Sequence, residues 1–456
     1  MQQQAFQNAR LARDRRFDGR FFVAVKTTGI FCRPICPAPA PKESNVEYFD
    51  LAHQAVQAGY RPCIRCRPDS APSSYAWKGV DTTLERAIRL LKANPHQDIA
   101  TIAQRLGITD RYCRQLFNQR LGVSPKQFQL AEQLLFAKQL LQQSPLPVEQ
   151  VAQACGFQSA RRLQDNMRRH FNLTPKQLRR ADIDLPSTLT LSLSYRPPYD
   201  WLGVRRFLAL RAVEGMETVT EHSYSRTINL FSENGQVVVT GDIHATHVPD
   251  AHRFDVQLRL SDIGYVKPVV EQLRRCLDLD ADPASIARGL SDAGIDVGQQ
   301  TPGLRLPGVW HPFEAGVRAV LGQQVSVTAA IGLVTRVVDE LGQCHSSGRF
   351  FPTPEAVANS ELSFLRMPGA RRQALRTLAT FFVDAPQAAL QPENWLALKG
   401  IGPWTVAYAK LRGCSEPDIF LEGDLVIRKQ RQSVSLRPEM ATPWRSYLTF
   451  QLWAFA

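Results

Sequence analysis

Cys32-x3-Cys36 and Cys63-x2-Cys66 place four of the chain's nine cysteines within its first 66 residues. Two close pairs separated by a longer loop suit a tetrahedral metal ion. Each short pair makes a tight turn carrying two thiolates, and folding of the loop brings the turns together. One Zn²⁺ bound by Cys32, Cys36, Cys63 and Cys66 is the expected occupant. Arg33, Lys42, Arg61, Arg65 and Arg67 crowd the quartet. Four thiolates around one Zn²⁺ leave about two net negative charges; these basic residues offset that charge and also suit a phosphate backbone. The plainer alternatives are a purely structural zinc and a pair of disulfides. The N-terminus, MQQQAFQNARLARDRRFDGR, lacks the apolar stretch of a secretion signal, and the other five cysteines are scattered singly. A reducing compartment therefore fits better than disulfides. Spacing alone leaves open whether the site is reactive or structural.

A second constellation lies far along the chain. Leu398-Lys-Gly-Ile-Gly-Pro-Trp-Thr-Val-Ala-Tyr408 reads as a hairpin between helices. Gly400 and Gly402 let its backbone approach a phosphate, with amides at the start of the second helix pointing at DNA. A lone Gly-x-Gly is often only a tight turn. Beyond it, Asp424 stands before an apolar run, where Asp commonly caps a helix; capping and catalysis are compatible roles for one carboxylate.

The chain that must position these groups has 456 residues, 44% of them hydrophobic, and a formal charge of +13. Its length suits roughly three or four domains. It has no run of about 18 apolar residues to span a membrane, and its charge favours an anionic partner. From about 80 to 182 the apolar spacing is helical and internally repeated. Each unit is a helix, a glycine turn and a basic second helix, closed by Val-Ser-Pro-Lys-Gln in one copy and Leu-Thr-Pro-Lys-Gln in the other, about fifty residues apart. A glycine between short helices lets the second enter a major groove. Arg111, Arg114, Gln115 and Asn118 are the DNA-facing candidates of the first unit; Gln158, Ser159, Arg161, Arg162 and Asp165 are those of the second. The plainer reading is a helical bundle with a solvated charged face, and the tandem repeat favours DNA. After the Asp182–Ser187 linker, Leu189–Ser194, Arg226–Leu230, Gln236–Thr240 and Val256–Leu260 read as strands, with a turn at Asn234-Gly235. Helices are expected around Trp201–Ala209 and Val266–Cys276, and from His311 onward the pattern is mostly helical.

The repeat resembles the AraC-type activator domain over about a hundred residues. The cysteine module, FDGRFFVAVKTTGIFCRPICPAPAP with GYRPCIRCRPD, resembles the N-terminal domain of the Ada family of bacterial adaptive-response proteins. That resemblance implies that Cys32 accepts a methyl group from a methylphosphotriester in DNA while Cys36, Cys63 and Cys66 remain ligands. Methylation makes Cys32 a neutral thioether, lowers the cluster's negative charge from about two to about one and tightens promoter binding. The Pro-Cys-His-Arg motif of an O6-methylguanine methyltransferase is absent, so that repair is not expected.

Trp310-His-Pro-Phe-Glu, Val320-Leu-Gly-Gln-Gln-Val-Ser-Val and LKGIGPWTVAYAKLRG resemble the 3-methyladenine DNA glycosylase II (AlkA) family of the helix-hairpin-helix superfamily, from about residue 190 to 456. The resemblance makes Asp424 the catalytic aspartate, Trp404, Tyr408 and Trp453 the aromatic residues of the base pocket, and Gln324 the side chain wedged into the duplex. The family usually has two adjacent acids where this chain has Gly423-Asp424. A lysine nucleophile just after the hairpin is replaced by Trp404, so a monofunctional hydrolase is expected. A cationic alkylated purine is already a good leaving group; the enzyme must flip it out and stabilise an oxocarbenium-like sugar.

The expected fold class is multidomain, mainly α with α+β parts. It comprises a small zinc domain (1–78), an AraC-type tandem helix-turn-helix (79–182), an α+β domain (187–300) and an all-α helix-hairpin-helix glycosylase domain (301–456). DNA-binding candidates are Arg33, Arg61, Arg65, Arg67, Arg111, Arg114, Gln115, Arg161, Arg162, Gln324, Gly400 and Gly402. The expected partners are double-stranded DNA, at alkylated sites and at a promoter, and RNA polymerase, with no membrane; the expected location is a bacterial cytoplasm, at the nucleoid. The alternatives are a pure transcription regulator with an inert glycosylase domain, and an active glycosylase whose cysteines accept no methyl group.

Overall fold

The computed structural model describes residues 2–50, 52–63, 65–66, 68, 82–93, 95–179, 189–433 and 436–455. Arg67, most of the loop-like stretch after it and the Asp182–Ser187 linker lie outside the described residues.

The cysteine module is built on a four-stranded sheet in which Phe22–Val25 pairs antiparallel with Ile30–Cys32 and Val46–Phe49. Ile30–Cys32 also runs parallel to Arg61–Pro62, with Ile30 opposite Arg61 and Phe31 opposite Pro62. The residues that follow in register are Cys32 and Cys63, so two distant cysteines emerge side by side from neighbouring strands. The Cys63 amide donates to the Phe31 carbonyl at 2.9 Å and fixes that alignment.

The repeat folds as helix pairs Ile99–Arg105 with Asp110–Leu121, and Val148–Ala154 with Ala160–Phe171. Its repeated Ser/Thr-Pro-Lys-Gln is a helix start: Ser124 and Thr174 are N-caps, proline occupies the first turn, and Gln127 and Gln177 complete capping boxes. The 19-residue helix Pro125–Gln143 joins the two units and is buried along most of its length. It also docks on the next domain. Gln139 Nε2 donates to the Ser192 carbonyl at 3.2 Å, and Ser192 N donates to Gln143 Oε1 at 2.8 Å.

That next domain is a five-stranded antiparallel sheet ordered Leu189–Ser194, Arg253–Leu260, Val237–Val248, Ser223–Phe231, Glu217–Val219. Val237–Val248 runs well past the segment legible in the sequence. Gly241 interrupts the apolar alternation because a Cβ there would lie 2.0 Å from the Arg259 carbonyl oxygen of the adjacent strand. Apolar side chains of the cysteine module, the repeat and this sheet merge into one core that includes Phe22, Phe31, Leu140, Val151, Leu191 and Ile243.

The remaining helices pack as two cores. One gathers Pro312–Leu321, Val327–Leu341 and Gly369–Asp384; the other gathers Pro283–Asp292, Leu425–Ser433 and Arg445–Ala454. Helix Pro403–Gly413 straddles them, with Val406 and Ala409 in the first and Leu411 in the second. Two buried polar joints tie the parts together. Arg226 and Arg318 alternate with Glu217 and Glu314 in a square of ion pairs, including Arg226–Glu314 at 2.9 Å and Arg318–Glu217 at 2.7 Å. Arg196, fully buried, donates to the Asp18 carbonyl at 2.8 Å and the Asp280 carbonyl at 2.7 Å, fastening the cysteine module to the C-terminal half.

Candidate functional site

In the cysteine module the four sulfur atoms all lie within 4.8 Å of one another. Sulfurs about 2.3 Å from a shared Zn²⁺ stand about 3.8 Å apart, so the donor set fits the ion. Taken as thiols alone, the four compete. The hydrogen bond from Cys32 holds the Cys63 thiol far below its ordinary value and brings Cys36 down to about 7. The bond with Cys36 pushes Cys32 up, and burial pushes Cys66 up. A quartet whose first ionisation is easy and whose next is resisted is completed by a dication. Cys63 and Cys66 are buried, whereas Cys32 and Cys36 are half-buried.

The surrounding cations divide. Arg33 is buried rather than turned to a phosphate, which corrects the expectation from sequence. Its guanidinium grips both carboxylate oxygens of buried Asp18 and donates to the Cys66 carbonyl, while its amide donates to Cys66 Sγ at 3.3 Å. Arg61 is half-buried on its strand and Arg65 is exposed.

On the second helices of the repeat, Arg111, Arg114, Gln115 and Asn118, and Arg161, Arg162 and Asp165, are exposed, as is Gln158 just before the second of them. Arg114 is already paired with Asp110 at 2.6 Å. Ser159 serves as a helix cap, accepting from the Arg162 amide.

The C-terminal constellation closes into a ring. Asp424 Oδ1 accepts from the Val426 and Ile427 amides at 3.0 and 3.3 Å, capping helix Leu425–Ser433, and from Trp453 Nε1 at 3.2 Å. No donor among the described residues engages the other carboxylate oxygen. Trp453 lies parallel to Phe207, centroids 6.2 Å apart. Arg412 covers Phe207 at 4.5 Å and donates to the Tyr408 hydroxyl at 3.3 Å. Tyr408 stacks on Trp404 at 5.3 Å, and Trp404 borders Gly423, next to Asp424. A Cβ at Gly423 would meet Trp404 Cδ1 at 3.6 Å, an ordinary contact, so the space does not itself demand glycine.

The hairpin glycines differ in role. Gly400 has φ +89°, and a Cβ there would lie 2.7 Å from the Ala374 Cβ; Gly402 is the N-cap of helix Pro403–Gly413 and faces open space. Gln324 sits exposed at φ +58° between helices Pro312–Leu321 and Val327–Leu341. Its neighbour Gln323 donates to Thr405 Oγ1 at 3.1 Å, holding that loop beside the helix of Trp404.

Asp18, Phe207 and Arg412 escaped the sequence reading. Asp18 lies in the quoted FDGR run, and an acid near four basic residues was the available signal. Phe207 carries none, because it lies on an ordinary amphipathic helix far from Asp424 in the chain.

Residues 5–69 match the family model for the metal binding domain of Ada, residues 102–181 that of a helix-turn-helix domain and residues 190–311 that of the AlkA N-terminal domain. The probable bifunctional transcriptional activator/DNA repair enzyme AlkA of Mycobacterium tuberculosis is 35% identical, over 97% of this chain and 94% of its own length. DNA-3-methyladenine glycosylase 2 of Escherichia coli is 34% identical over 58% of this chain and 96% of its own. The bifunctional activator/repair enzyme Ada of the same organism is 37% identical over 26% of this chain and 33% of its own.

Proposed function

The chain belongs to the family of bifunctional transcriptional activator/DNA repair proteins that join an Ada-type metal-binding module to an AlkA-type glycosylase, and from that premise we propose how its residues divide the work. It is an alkylation-response protein: a zinc-bound methyl acceptor and transcription regulator, and a DNA glycosylase that releases alkylated bases such as 3-methyladenine. Among the described residues no helix is long and apolar enough to cross a membrane; the partner is DNA.

Asp424 is the residue we assign to glycosidic cleavage. The observation that carries this is its carboxylate, fixed through one oxygen by two amides and an indole, at the edge of a ring made by Trp404, Tyr408, Phe207 and Trp453. A cationic purine flipped into such a ring gains stacking and cation–π attraction. As the C1′–N bond breaks, the free carboxylate oxygen stabilises the positive charge growing on the sugar and orients the incoming water. Exposed Gln324 is assigned to the gap left in the duplex, and the amides after Gly402 to the DNA backbone.

In the cysteine module Cys32 is the assigned acceptor. Zn²⁺, held by the four cysteines, keeps the sulfur a thiolate. Cys32 Sγ attacks the methyl carbon of a methylphosphotriester; the S–C bond forms, the C–O bond breaks, and a phosphodiester anion leaves. Cys32 and Cys36 are half-buried while Cys63 and Cys66 are buried, so exposure favours the first pair, and the resemblance to the Ada module selects Cys32 within it. The exposed arginines of both helix-turn-helix units are assigned to promoter DNA, with RNA polymerase as the further partner and the nucleoid as the place of action.

Release of free 3-methyladenine from methylated duplex DNA tests the enzyme. Release by wild type and not by Asp424→Asn is expected. No release by a folded, DNA-binding wild type leaves a regulator alone, and equal release by both moves the catalytic residue elsewhere.

A further inference from the structure

We infer that Arg211 and Arg412 form a specificity-determining pair behind the base pocket, placed to stabilise the electron pair left on a departing uncharged base. The inference rests on the glycosylase reading above and concerns which lesions that site favours.

Both guanidiniums cover the same Phe207 ring, Arg211 at 3.8 Å and Arg412 at 4.5 Å from its centroid. Arg412 is almost fully buried; it donates to the Pro307 carbonyl at 2.6 Å and to the Tyr408 hydroxyl. Arg211 reaches only the Phe207 carbonyl, at 3.5 Å. Carbonyl oxygens, a hydroxyl and aromatic faces are thus their partners, with no carboxylate within ion-pair distance among the described residues. Burial pushes Arg211 down to about 10, which leaves it charged at neutral pH. Almost fully buried Arg412 and half-buried Arg211 thus carry charge with no ion-paired acid beside them, which costs stability. Buried Arg226 and Arg318, by contrast, meet acids, while buried Arg305 is held by backbone carbonyls.

Their position gives them a use. The ring of contacts runs from Asp424 through Trp453 and Phe207 to Arg412, and back through Tyr408 and Trp404 to Gly423. Negative charge therefore stands at one side of this ring and positive charge at the other. When the C1′–N bond breaks, both electrons go to the base nitrogen; water adds at C1′ and loses a proton. The guanidiniums repel an N-alkylated cation as it enters and lose that repulsion as it departs neutral, so between free DNA and the transition state it gains little from them. An uncharged base, such as hypoxanthine, departs carrying negative charge until it is protonated, and the pair stabilises that charge. At an effective dielectric of about 20, one charge about 10 Å away alters such a step by roughly tenfold.

The test is kcat/KM, read at sub-saturating enzyme, for release of hypoxanthine and of 7-methylguanine from otherwise identical duplexes, by wild type, Arg211→Met and Arg211→Lys. The hypoxanthine-to-7-methylguanine ratio is expected to fall about tenfold in Arg211→Met and to stay near wild type in Arg211→Lys, which keeps the cation. Arg211→Gln replaces the methionine variant if that variant melts below assay temperature. An unchanged ratio in a folded neutral variant overturns the inference, as does an equal fall for Met and Lys. A wild type that releases 7-methylguanine but no hypoxanthine overturns it too. A wild type that releases neither base instead removes the glycosylase reading beneath it.

Discussion

Trp453 donates its indole N–H to Asp424 Oδ1 at 3.2 Å, the oxygen that already caps helix Leu425–Ser433. One carboxylate oxygen is thereby spent on structure, and no donor among the described residues engages the other. Asparagine keeps a carbonyl oxygen for the cap, so Asp424→Asn should melt like wild type while base release falls by about 10²-fold or more. Asp424→Ala should lose both the activity and about 1 kcal/mol of stability. Trp453→Phe retains a ring and loses one hydrogen bond, for an expected fall of about fivefold. Melting curves and single-turnover release, measured together, separate the two roles.

Asp18 clasps Arg33, whose amide and guanidinium both contact Cys66. Zinc sites commonly lose 10- to 100-fold in affinity when such supporting partners go. Asp18→Asn should therefore weaken zinc retention by about that factor in a chelator competition while metal analysis still finds one ion per chain. Wild-type retention in the variant would show that the clasp serves packing alone.

Glu314 accepts from both Arg226 and Arg318 in the buried square. Glu314→Gln leaves those guanidiniums short of charge and should cost about 3–5 kcal/mol in denaturant unfolding. The exposed pair Arg114–Asp110 provides the contrast, with Asp110→Asn expected within about 1 kcal/mol of wild type.

His247 packs among Tyr195, Trp201 and Phe254, with Tyr195 Oη 2.7 Å from Nε2. Burial pushes its pKa down to about 4, and nearby His222 and His252 add to the shift. Between about pH 6.5 and 4 the unfolded chain binds a proton that the folded chain does not, so this residue makes stability fall as pH falls through that window. Asp278 works in the opposite sense, because burial pushes it up to about 7 and acidification relieves its buried charge. The quantity to read is the difference in melting temperature between wild type and His247→Gln, which should narrow from pH 7 to pH 4.5.

Exposed Arg111 and Arg161 each face solvent from the second helix of a unit. If each meets a phosphate, its alanine variant should bind promoter DNA more weakly and lower the salt dependence of affinity by about one ion. Arg33→Met, altering a buried residue, should leave that slope unchanged.

The sequence by itself determined the features that a few neighbouring residues control. Two cysteine pairs, a glycine hairpin and an aspartate before an apolar run are legible because turns and caps depend on short-range geometry. The repeated Pro-Lys-Gln was legible as a repeat, although its meaning as a capping box required Ser124 and Thr174 to be seen accepting backbone amides. Only the tertiary structure decided which way Arg33 turned, because its preference depends on Asp18 being buried at the same point. It also decided the aromatic ring beside Asp424. Phe207 comes from an α+β domain, Trp404 and Tyr408 from the hairpin helix, and Asp424 and Trp453 from two later helices. No periodicity links residues so distant in the chain. They meet because helix Pro403–Gly413 packs into two hydrophobic cores at once, and that shared burial sets the distances on which the chemistry depends.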